Sequence, residues 1–262
     1  MTSIPAEVGT ESPFWWRSTL DDGVHLGFSS IAAGNLARHV GPQTDVAVHR
    51  TRLQEAMGIP EGSLRFLDQV HSADVIDAGV ADSTARHAPA KQEQVLTGDA
   101  WVCADGSVPL AIMVADCLPV LLVGRRTDPQ AAPVTAAAHA GRPGLLSGIL
   151  ENTIAAMREH GASTIDAWIG PGACGECYEI PEAMVAEVSR ERPSIASRTR
   201  WGTSALDLRA EAEAVLAADN VAVAELSGCT LEDHSLYSHR RAPGEGRFAG
   251  LIWTTPPQHQ TR

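Results

Sequence analysis

Long apolar runs, a basic surplus and a signal peptide are all missing from this sequence of 262 residues. The longest apolar stretch, 110–124, is interrupted by Asp116, Cys117 and Pro119, and it falls short of the roughly 20 residues that span a membrane. The first residues lack the basic start and apolar centre of a signal peptide. Acidic residues outnumber basic ones by 32 to 20, which argues against nucleic-acid binding. We therefore expect a cytoplasmic protein with no membrane or nucleic-acid partner.

Cysteine is scarce, and the five cysteines are an odd number, so they cannot all be paired in disulfides within one chain. They are Cys103, Cys117, Cys174, Cys177 and Cys229. An odd number of cysteines in a cytoplasmic protein argues against a disulfide framework. Cys174 and Cys177 form a single C-x-x-C motif, which is weak support for a redox or metal site without a second pair. We expect buried or loop thiols there.

Several catalytic signatures are also absent. The sequence has no G-x-S-x-G nucleophile elbow, no H-E-x-x-H zinc motif and no H-x-E…P-C-x-x-C deaminase motif. It also has no H-x-H pair, and multicopper clusters are typically built from such pairs. These absences argue against the best-known serine hydrolase, zinc protease and multicopper oxidase sites.

The composition is that of an ordinary globular protein, with 44% hydrophobic and 20% charged residues. Strand-like and helix-like segments alternate, but some strands follow one another directly. This order favours an α/β or α+β fold with mixed sheets over an all-parallel one. Residues 1–12 are interpreted as a loose leader and 13–262 as a single catalytic domain.

Hydrophobic periodicity predicts the individual elements. Strands are predicted at 24–29, 64–71, 99–104, 110–115, 119–123, 134–138, 165–170, 221–226 and 248–253. Helices are predicted at 45–57, from 145 to a stop at Gly161, at 181–192 and at 206–218. We expect 73–78 to pair with 64–71, and 79–97 to form a long exposed loop.

Three potential metal ligands stand where apolar runs stop and turns begin: His71, Cys117 and His139. Two His and one Cys leave a tetrahedral zinc with one open position, the arrangement of catalytic sites. Their long separations match no compact zinc-finger spacing, so the hypothesis requires that the fold bring them together. Asp116 adjoins Cys117 and is predicted to orient a ligand or a substrate.

Two glycine-rich segments are candidates for ligand contact. Arg240, Arg241 and Arg247 lie near turns, where arginine suits bidentate binding of phosphate or carboxylate. Without further support, a solvated turn is the better interpretation. Residues 169–174 form a glycine-rich loop after a strand, but it matches no nucleotide-binding fingerprint, and a plain tight turn is the alternative.

An ordered set of short motifs gives these residues a family context. The motifs are Gln69-Val70-His71, Ala115-Asp116-Cys117-Leu118-Pro119-Val120-Leu121-Leu122, Ala138-His139-Ala140-Gly141, Ile169-Gly170-Pro171, Cys177-Tyr178-Glu179, Leu206-Asp207-Leu208, Cys229-Thr230, Ser238-His239-Arg240-Arg241 and Gly246-Arg247. From about Gly27 to Trp253, the chain resembles the bacterial laccase-domain (polyphenol oxidase) family, also called the peptidoglycan editing factor family.

The resemblance implies a single α/β domain with layered mixed sheets flanked by helices. It implies a zinc ion held by His71, Cys117 and His139. Family members are described as purine nucleoside phosphorylases that cleave adenosine, inosine and methylthioadenosine, and that also deaminate adenosine. The older laccase label refers to copper and phenol oxidation, and a separate proposal gives the family an editing role in cell-wall precursor synthesis.

The chain departs from the family pattern after the second histidine. The family usually continues with Trp-Arg-Gly, whereas this sequence has Arg142-Pro143-Gly144. Arg142 is therefore the residue expected to take over any role of the family arginine. A second departure is that Glu176-Cys177 replaces a Cys pair and Cys174 stands where Gly is usual.

The leading hypothesis is zinc-dependent chemistry on purine nucleosides. Zinc lowers the pKa of bound water to about 7, which suits deamination at the purine C6. Phosphorolysis needs a phosphate held near the sugar, and Arg142, Arg240 and Arg241 are the predicted phosphate-binding residues. Asn35 and Gln69, with Asp116, are predicted to position the sugar or the base. The expected partners are a nucleoside and phosphate, and the protein is expected to be a monomer or small homo-oligomer.

Three other functions stay open from the sequence. Cys117 and His139 could form a nucleophile and base pair that hydrolyses an amide or ester of a peptidoglycan precursor. The same Cys and His set could bind copper and oxidise phenols. Finally, the protein could act in cell division or wall synthesis by binding a partner without catalysis.

Overall fold

The computed structural model describes residues 12–41, 43–80 and 95–255. The strands are β1 (Phe14–Thr19), β2 (Val24–Ser29), β3 (Val75–Asp77), β4 (Ala100–Cys103), β5 (Leu110–Val114), β6 (Leu118–Arg125), β7 (Val134–Ala140), β8 (Thr164–Ile169), β9 (Ala196–Arg198), β10 (Ser204–Leu206), β11 (Ala222–Ala224) and β12 (Phe248–Thr254). The helices are α1 (Val46–Met57), α2 (Arg142–Leu146), α3 (Ile149–Glu159), α4 (Glu182–Val188) and α5 (Leu208–Ala218). None of the helices in these ranges is long and apolar enough to cross a membrane.

Two main sheets form the centre of the fold. One has four antiparallel strands in the order β1-β2-β12-β5. The other has six strands in the order β11-β8-β6-β7-β4-β3, with parallel pairs at both edges and antiparallel pairs between them. A short β9-β10 pair lies apart from both. The mixed α/β architecture predicted from the sequence is confirmed.

The alternation of side chains along the strands stacks these elements into four layers. In β6, Val120 and Leu122 face the apolar cluster that contains α3 and α5, while Leu121 faces the four-stranded sheet. The outer face of that smaller sheet packs against α1 through Leu53 and Met57. Each sheet is therefore covered on both faces, and β6 is apolar along almost its whole length because both of its faces are buried.

The apolar helical face predicted from 145 onward is present, but it belongs to two helices. Leu145 lies in α2, whereas Ile149, Ile154 and Met157 lie in α3, and all four are buried. Gly148 separates the helices with a φ of 93°, a left-handed conformation that favours glycine. The prediction of a single helix there is wrong, because periodicity reports the buried face but not a break that preserves it.

The strand predicted at 64–71 is also wrong. Arg65 and Asp68 make isolated bridges to two different partners, Leu110 and Thr97, so the segment changes partner before a ladder can form. The predicted pairing of 73–78 with this segment fails as well, because β3 pairs with β4 in parallel. The physical reason is that the backbone N–H groups of residues 70–72 donate to the side chain of Asp99 and not to a neighbouring strand.

The remaining predictions differ mainly at element ends. The strands predicted at 24–29, 99–104, 110–115, 119–123, 134–138, 165–170, 221–226 and 248–253 are confirmed within a few residues. The helix predicted at 181–192 is shorter, as α4, and β1, β9 and β10 were not predicted. The leader expected at 1–12 and the loop expected at 79–97 fall largely on residues 1–11 and 81–94, which lie outside the described residues.

Candidate metal centre and active site

The antiparallel pairing of β6 with β7 brings Cys117 and His139 to the same end of the six-stranded sheet. Leu118, the first residue of β6, pairs with Ala140, and Pro119 pairs with His139. Cys117 therefore precedes the first rung of the ladder, and His139 occupies the second. Two residues that are distant in sequence become neighbours because one strand begins where the other ends.

His71 is brought to this end of the sheet by a buried carboxylate, that of Asp99. The Asp99 side chain accepts hydrogen bonds from the backbone N–H groups of Val70 (3.2 Å), His71 (3.0 Å) and Ser72 (2.6 Å). His71 itself has a φ of 61°, in the left-handed region that non-glycine residues seldom adopt. The three hydrogen bonds hold that conformation in place and leave the segment without strand geometry.

The same Asp99 carboxylate orients the second histidine. The Nδ1–H of His139 donates to Asp99 Oδ1 over 2.8 Å, which directs the other ring nitrogen, Nε2, toward the centre. Burial raises the pKa of Asp99, but the hydrogen bonds from His139 and Ser72 outweigh it and lower that pKa to about 2. Asp99 is thus a fixed anion that positions both histidines. No sequence pattern pointed to this role of Asp99.

The three ligand atoms converge closely enough for one metal ion. The ligand atoms of His71, Cys117 and His139 all lie within 4.8 Å of one another, and Cys117 Sγ is 3.7 Å from His71 Nε2. Burial raises the pKa of the Cys117 thiol, but the two histidines more than offset this effect and lower it to about 6. This lowering of the pKa favours the thiolate, the form that ligates metals.

The backbone beside the ligands leaves room for an ion. A Cβ atom at Gly141 would lie 2.6 Å from His71 Cδ2, 3.0 Å from Cys117 Sγ and 3.3 Å from His139 Nε2. Any side chain at this position would therefore intrude on the space between the ligands. Two imidazoles and a thiolate around such a cradle fit a zinc or copper ion with an open coordination position.

Gly141→Ala provides a test of this cradle. We expect metal affinity to fall by about 10–100-fold, the range typical when the surroundings of ligands are disturbed, while the fold is retained. Metal titration and thermal unfolding monitored by circular dichroism measure the two effects. Gly79→Ala is the control, because the added Cβ there would meet only Asp77 Oδ1 at 3.3 Å. Equal metal affinity in both variants would contradict the assignment.

Asp116 lies beside the centre, but its carboxylate is engaged by the protein. Its Oδ1 accepts from the Thr230 hydroxyl over 2.6 Å, and its Oδ2 accepts from the backbone N–H of Arg240 over 2.8 Å. Its backbone carbonyl accepts from the Ala173 N–H, and its φ is 84°. These contacts tie three loops to Cys117. We therefore interpret Asp116 as a positioning residue, not as a group that reacts with substrate.

Two of the predicted substrate-binding residues also have structural contacts. The Gln69 side chain makes two hydrogen bonds of 2.8 Å with the backbone of Met113, which fixes the segment before His71 on β5. The buried Asn35 side chain bonds to the backbone of Ala37, Val40 and Arg247. Both amides hold the loops around the centre in place. A substrate that bound to either amide would compete with these backbone hydrogen bonds.

The predicted phosphate-binding arginines divide into two groups. Arg240 lies 4.5 Å from the ring centroid of Tyr178 and donates to the Glu179 carbonyl over 2.7 Å. Burial raises the pKa of Tyr178, and the charges of Arg142 and Arg240 oppose that rise, so both lie within electrostatic reach of it. Arg241 instead donates to backbone carbonyls of its own loop, including that of Asp233.

Arg247 is a further cation near the centre that was not assigned a role beyond its motif. Burial lowers the pKa of Arg247, while the negative charges of Cys117 and Asp116 raise it, which places the guanidinium within reach of both. Tyr178, likewise, was not predicted as a site residue. Tyr178 and Arg247 are thus both within electrostatic reach of Cys117, and Arg142 and Arg240 are within reach of Tyr178.

Relatives of known sequence match almost the whole chain. A family model described as "Multi-copper polyphenol oxidoreductase laccase" matches residues 18–255. A protein of Streptomyces coelicolor named purine nucleoside phosphorylase is 38% identical over 252 residues, covering 90% of this chain and 98% of the relative. One of the same name from Corynebacterium glutamicum is 40% identical over 230 residues, covering 86% and 88%.

Solved structures match the fold over a similar extent. A Neisseria meningitidis protein of the DUF152 family superimposes with a TM-score of 0.76 at 29% identity, covering 94% of this chain and 100% of that one. YlmD from Geobacillus stearothermophilus gives a TM-score of 0.74 at 28% identity, covering 96% and 100%. The motifs, the fold and these matches show that the chain belongs to the multi-copper polyphenol oxidoreductase laccase family, the laccase-domain family that its sequence resembles.

Proposed function

We propose that this protein is a purine nucleoside phosphorylase whose metal, zinc, is held by His71, Cys117 and His139. The observation that carries the proposal is the convergence of these three ligands around the open cradle at Gly141. The name that the Streptomyces and Corynebacterium relatives carry, at 38% and 40% identity, supports the substrate class. The substrates would be a nucleoside and inorganic phosphate, encountered in the cytoplasm.

Zinc fits the centre better than a multicopper cluster. Two imidazoles and one thiolate supply one metal with three ligands, whereas a multicopper cluster needs many more histidines. A bound zinc ion would supply Lewis-acid chemistry at its open position. The described residues contain one other group of potential ligands, which has three cysteines and no histidine. A copper ion bound at the His71 centre alone would lack the histidine-rich cluster that a multicopper oxidase needs.

Phosphorolysis defines what the surrounding residues must do. A phosphate oxygen forms a bond to the anomeric carbon, the bond from that carbon to the purine nitrogen breaks, and the base leaves with a proton. The dianion must be held close to a sugar on which positive charge develops, which arginine does through charge-assisted hydrogen bonds. The proposal assigns this task to Arg240 and Arg142, and it is supported by their charges, which both act on Tyr178.

Arg240→Ala separates phosphate binding from nucleoside binding. Loss of a charge-assisted hydrogen bond costs about 1.5–3 kcal/mol, so we expect the KM for phosphate to rise by about 10–100-fold. The KM for inosine should change much less. Steady-state kinetics with each substrate varied in turn measures both constants. Arg198→Ala is the control, since Arg198 is exposed and donates to the nearby Gly202 carbonyl. An unchanged phosphate KM would remove Arg240 from the phosphate site.

The proposal extends to adenosine, inosine and methylthioadenosine as substrates and to deamination of adenosine. The two reactions consume different co-substrates, because phosphorolysis consumes phosphate and deamination consumes water and releases ammonia. In phosphate-free buffer, adenosine should yield inosine and no free base. Addition of phosphate should then release adenine or hypoxanthine. If no inosine forms in the phosphate-free reaction, the protein does not deaminate adenosine, and the proposal is reduced to phosphorylase activity.

The direct test of the function combines metal analysis with base release. We expect zinc in the purified, untagged protein and release of hypoxanthine from inosine only when phosphate is present. Dialysis against a chelator should abolish turnover, and zinc should restore it. Zinc-loaded protein that releases no base from inosine or adenosine would contradict the assignment of substrate.

A cysteine hydrolase is the second candidate, because Cys117, His139 and Asp99 form a nucleophile, base and orienting acid in series. Such a triad needs no second imidazole, so His71 distinguishes the two functions. A metal enzyme loses turnover in His71→Ala, whereas a triad hydrolase retains it. Activity that survives metal removal but not alkylation of Cys117 would favour hydrolysis of an amide or ester.

A further inference from the structure

A second group of potential metal ligands lies outside the His71 centre. The ligand atoms of Cys174, Cys177, Cys229 and Glu232 all lie within 4.8 Å of one another. Cys177 and Cys229 are buried and Cys174 is half-buried, and none of the three is in a disulfide. Three converging thiols with a carboxylate form a complete tetrahedral ligand set for zinc, with no position left for substrate.

The backbone around these residues forms two turns of the same design. The Cys174 carbonyl accepts the N–H groups of Cys177 and Tyr178, each over 2.9 Å. The Cys229 carbonyl accepts the N–H groups of Glu232 (3.1 Å) and Asp233 (2.9 Å). Each turn therefore presents two ligands separated by two residues, within the ligand spacing of structural zinc sites.

The two turns are held against each other before any ion binds. Gly172 and Cys229 form a parallel bridge, in which the Thr230 N–H donates to the Gly172 carbonyl over 3.0 Å. The fourfold ligand set is thus assembled from segments that are more than fifty residues apart in sequence. Because the ligands are already assembled, metal binding causes a smaller loss of conformational entropy.

A cation beside the cluster balances its charge. Arg200 Nη2 lies 3.4 Å from Cys177 Sγ and 2.5 Å from Glu232 Oε1. A divalent metal with three thiolates and one carboxylate carries two net negative charges, and an N–H donor to a ligating sulfur stabilises such an arrangement. Arg200 therefore has the position of an outer hydrogen-bonding partner to a metal site.

We propose that Cys174, Cys177, Cys229 and Glu232 bind a second, structural zinc ion. On binding, three S–H protons pass to solvent and three sulfur–zinc bonds and one oxygen–zinc bond form, with no change of oxidation state. The ion joins the loop that donates the Ala173 N–H to Asp116 to the loop that carries Thr230. It thereby holds two of the three segments that support Asp116, and the inference does not depend on which reaction the first centre catalyses.

Metal counting on the full chain tests this site. Protein purified with a reductant and zinc should contain about two zinc ions per chain, because a preformed set of thiolate ligands binds zinc tightly. Cys229→Ser should lose one ion and keep the other, and His139→Ala should show the converse. Cys103→Ser is the matched control, since the buried Cys103 bonds Asp105 and lies outside both ligand groups. It should keep both ions.

Cobalt substitution reads the ligand set in the unaltered protein, which matters if Cys229→Ser does not fold. Thiolate-to-cobalt absorption grows with the number of sulfur ligands, so the second site should give about three times the intensity of the single-thiolate centre. One metal equivalent in the wild type, lost completely in His139→Ala, would overturn the proposal. Recovery of a disulfide among the three cysteines despite zinc and reductant would overturn it as well.

Discussion

His139→Ala is expected to abolish both metal binding and turnover. The substitution removes one of three ligands and leaves Asp99 without its imidazole partner at the centre. Changes to groups that only support ligands already cost about 10–100-fold, so loss of a ligand should lower kcat/KM by more than about 100-fold. The metal content of the first centre should fall to background, because two ligands rarely retain zinc against dialysis.

His160→Ala is the matched control for this experiment. His160 also pairs with an aspartate, Asp77, over 2.9 Å, but it lies at the end of α3 and outside both ligand groups. Metal content, phosphate-dependent base release and thermal unfolding should be measured on both variants in parallel. Full turnover by His139→Ala, or equal losses in the two variants, would contradict the assignment of the centre.

The sequence was sufficient to predict the parts of the molecule that depend on periodicity. The apolar runs that became β6 and β7 are long enough to mark buried strands, and their antiparallel pairing accounts for the approach of Cys117 to His139. Two histidines and one cysteine then indicated a catalytic metal site with an open position, because structural zinc sites use four protein ligands. The prediction of a zinc centre at these three residues thus rests on their types, on their positions at the ends of apolar runs and on the family resemblance of the motifs that contain them.

The role of Asp99 could not be predicted, because it depends on contacts between distant segments. Its carboxylate serves the backbone of residues 70–72 and the ring of His139, and no periodic pattern announces a hydrogen bond of that kind. The same holds for Gln69 and Asn35, whose amides pair with backbone groups elsewhere. Short polar segments near a site therefore indicate that side chains form hydrogen bonds there, but they do not identify the groups that accept or donate those bonds.

The C-x-x-C motif shows how a weak local signal gains meaning from the fold. Cys174 and Cys177 alone indicated little, since a structural metal needs four ligands. The bridge between Gly172 and Cys229 supplies the missing pair, and it joins segments whose separation in sequence gives no hint of contact.

Adjacent residues of one motif can also have different contacts, which the sequence does not reveal. Arg240 lies over the ring of Tyr178, whereas Arg241 donates to backbone carbonyls of its own loop.

Asp99→Asn should weaken the protein and its metal centre together. The Asp99 carboxylate is fully buried and accepts three backbone N–H groups and the His139 ring, whereas an amide offers one acceptor oxygen and adds two donors. The lowering of its pKa from 3.8 to about 2 corresponds to about 2 kcal/mol of folding free energy at neutral pH. Metal affinity should also fall, by about 10–100-fold, because both histidines lose their orientation.

The stabilisation by Asp99 depends on pH in a direction that can be predicted from its lowered pKa. A carboxylate with a lower pKa in the folded protein stabilises it fully above the ordinary value of 3.8, and loses that effect as the pH falls through about 2. The difference in unfolding free energy between wild type and Asp99→Asn should therefore shrink as the pH falls from 3.8 through about 2. Urea unfolding of chelator-treated protein at several pH values measures it without a contribution from metal binding.

Asp77→Asn supplies the comparison, because Asp77 also pairs with a histidine but is about one-third exposed. An ion pair in contact with solvent contributes about 0–1 kcal/mol, so this variant should unfold nearly like the wild type and keep its metal. Equal destabilisation of the two variants would mean that burial of Asp99 adds nothing. A difference that grows at low pH would mean that the charged form of Asp99 does not hold His71 and His139 in place.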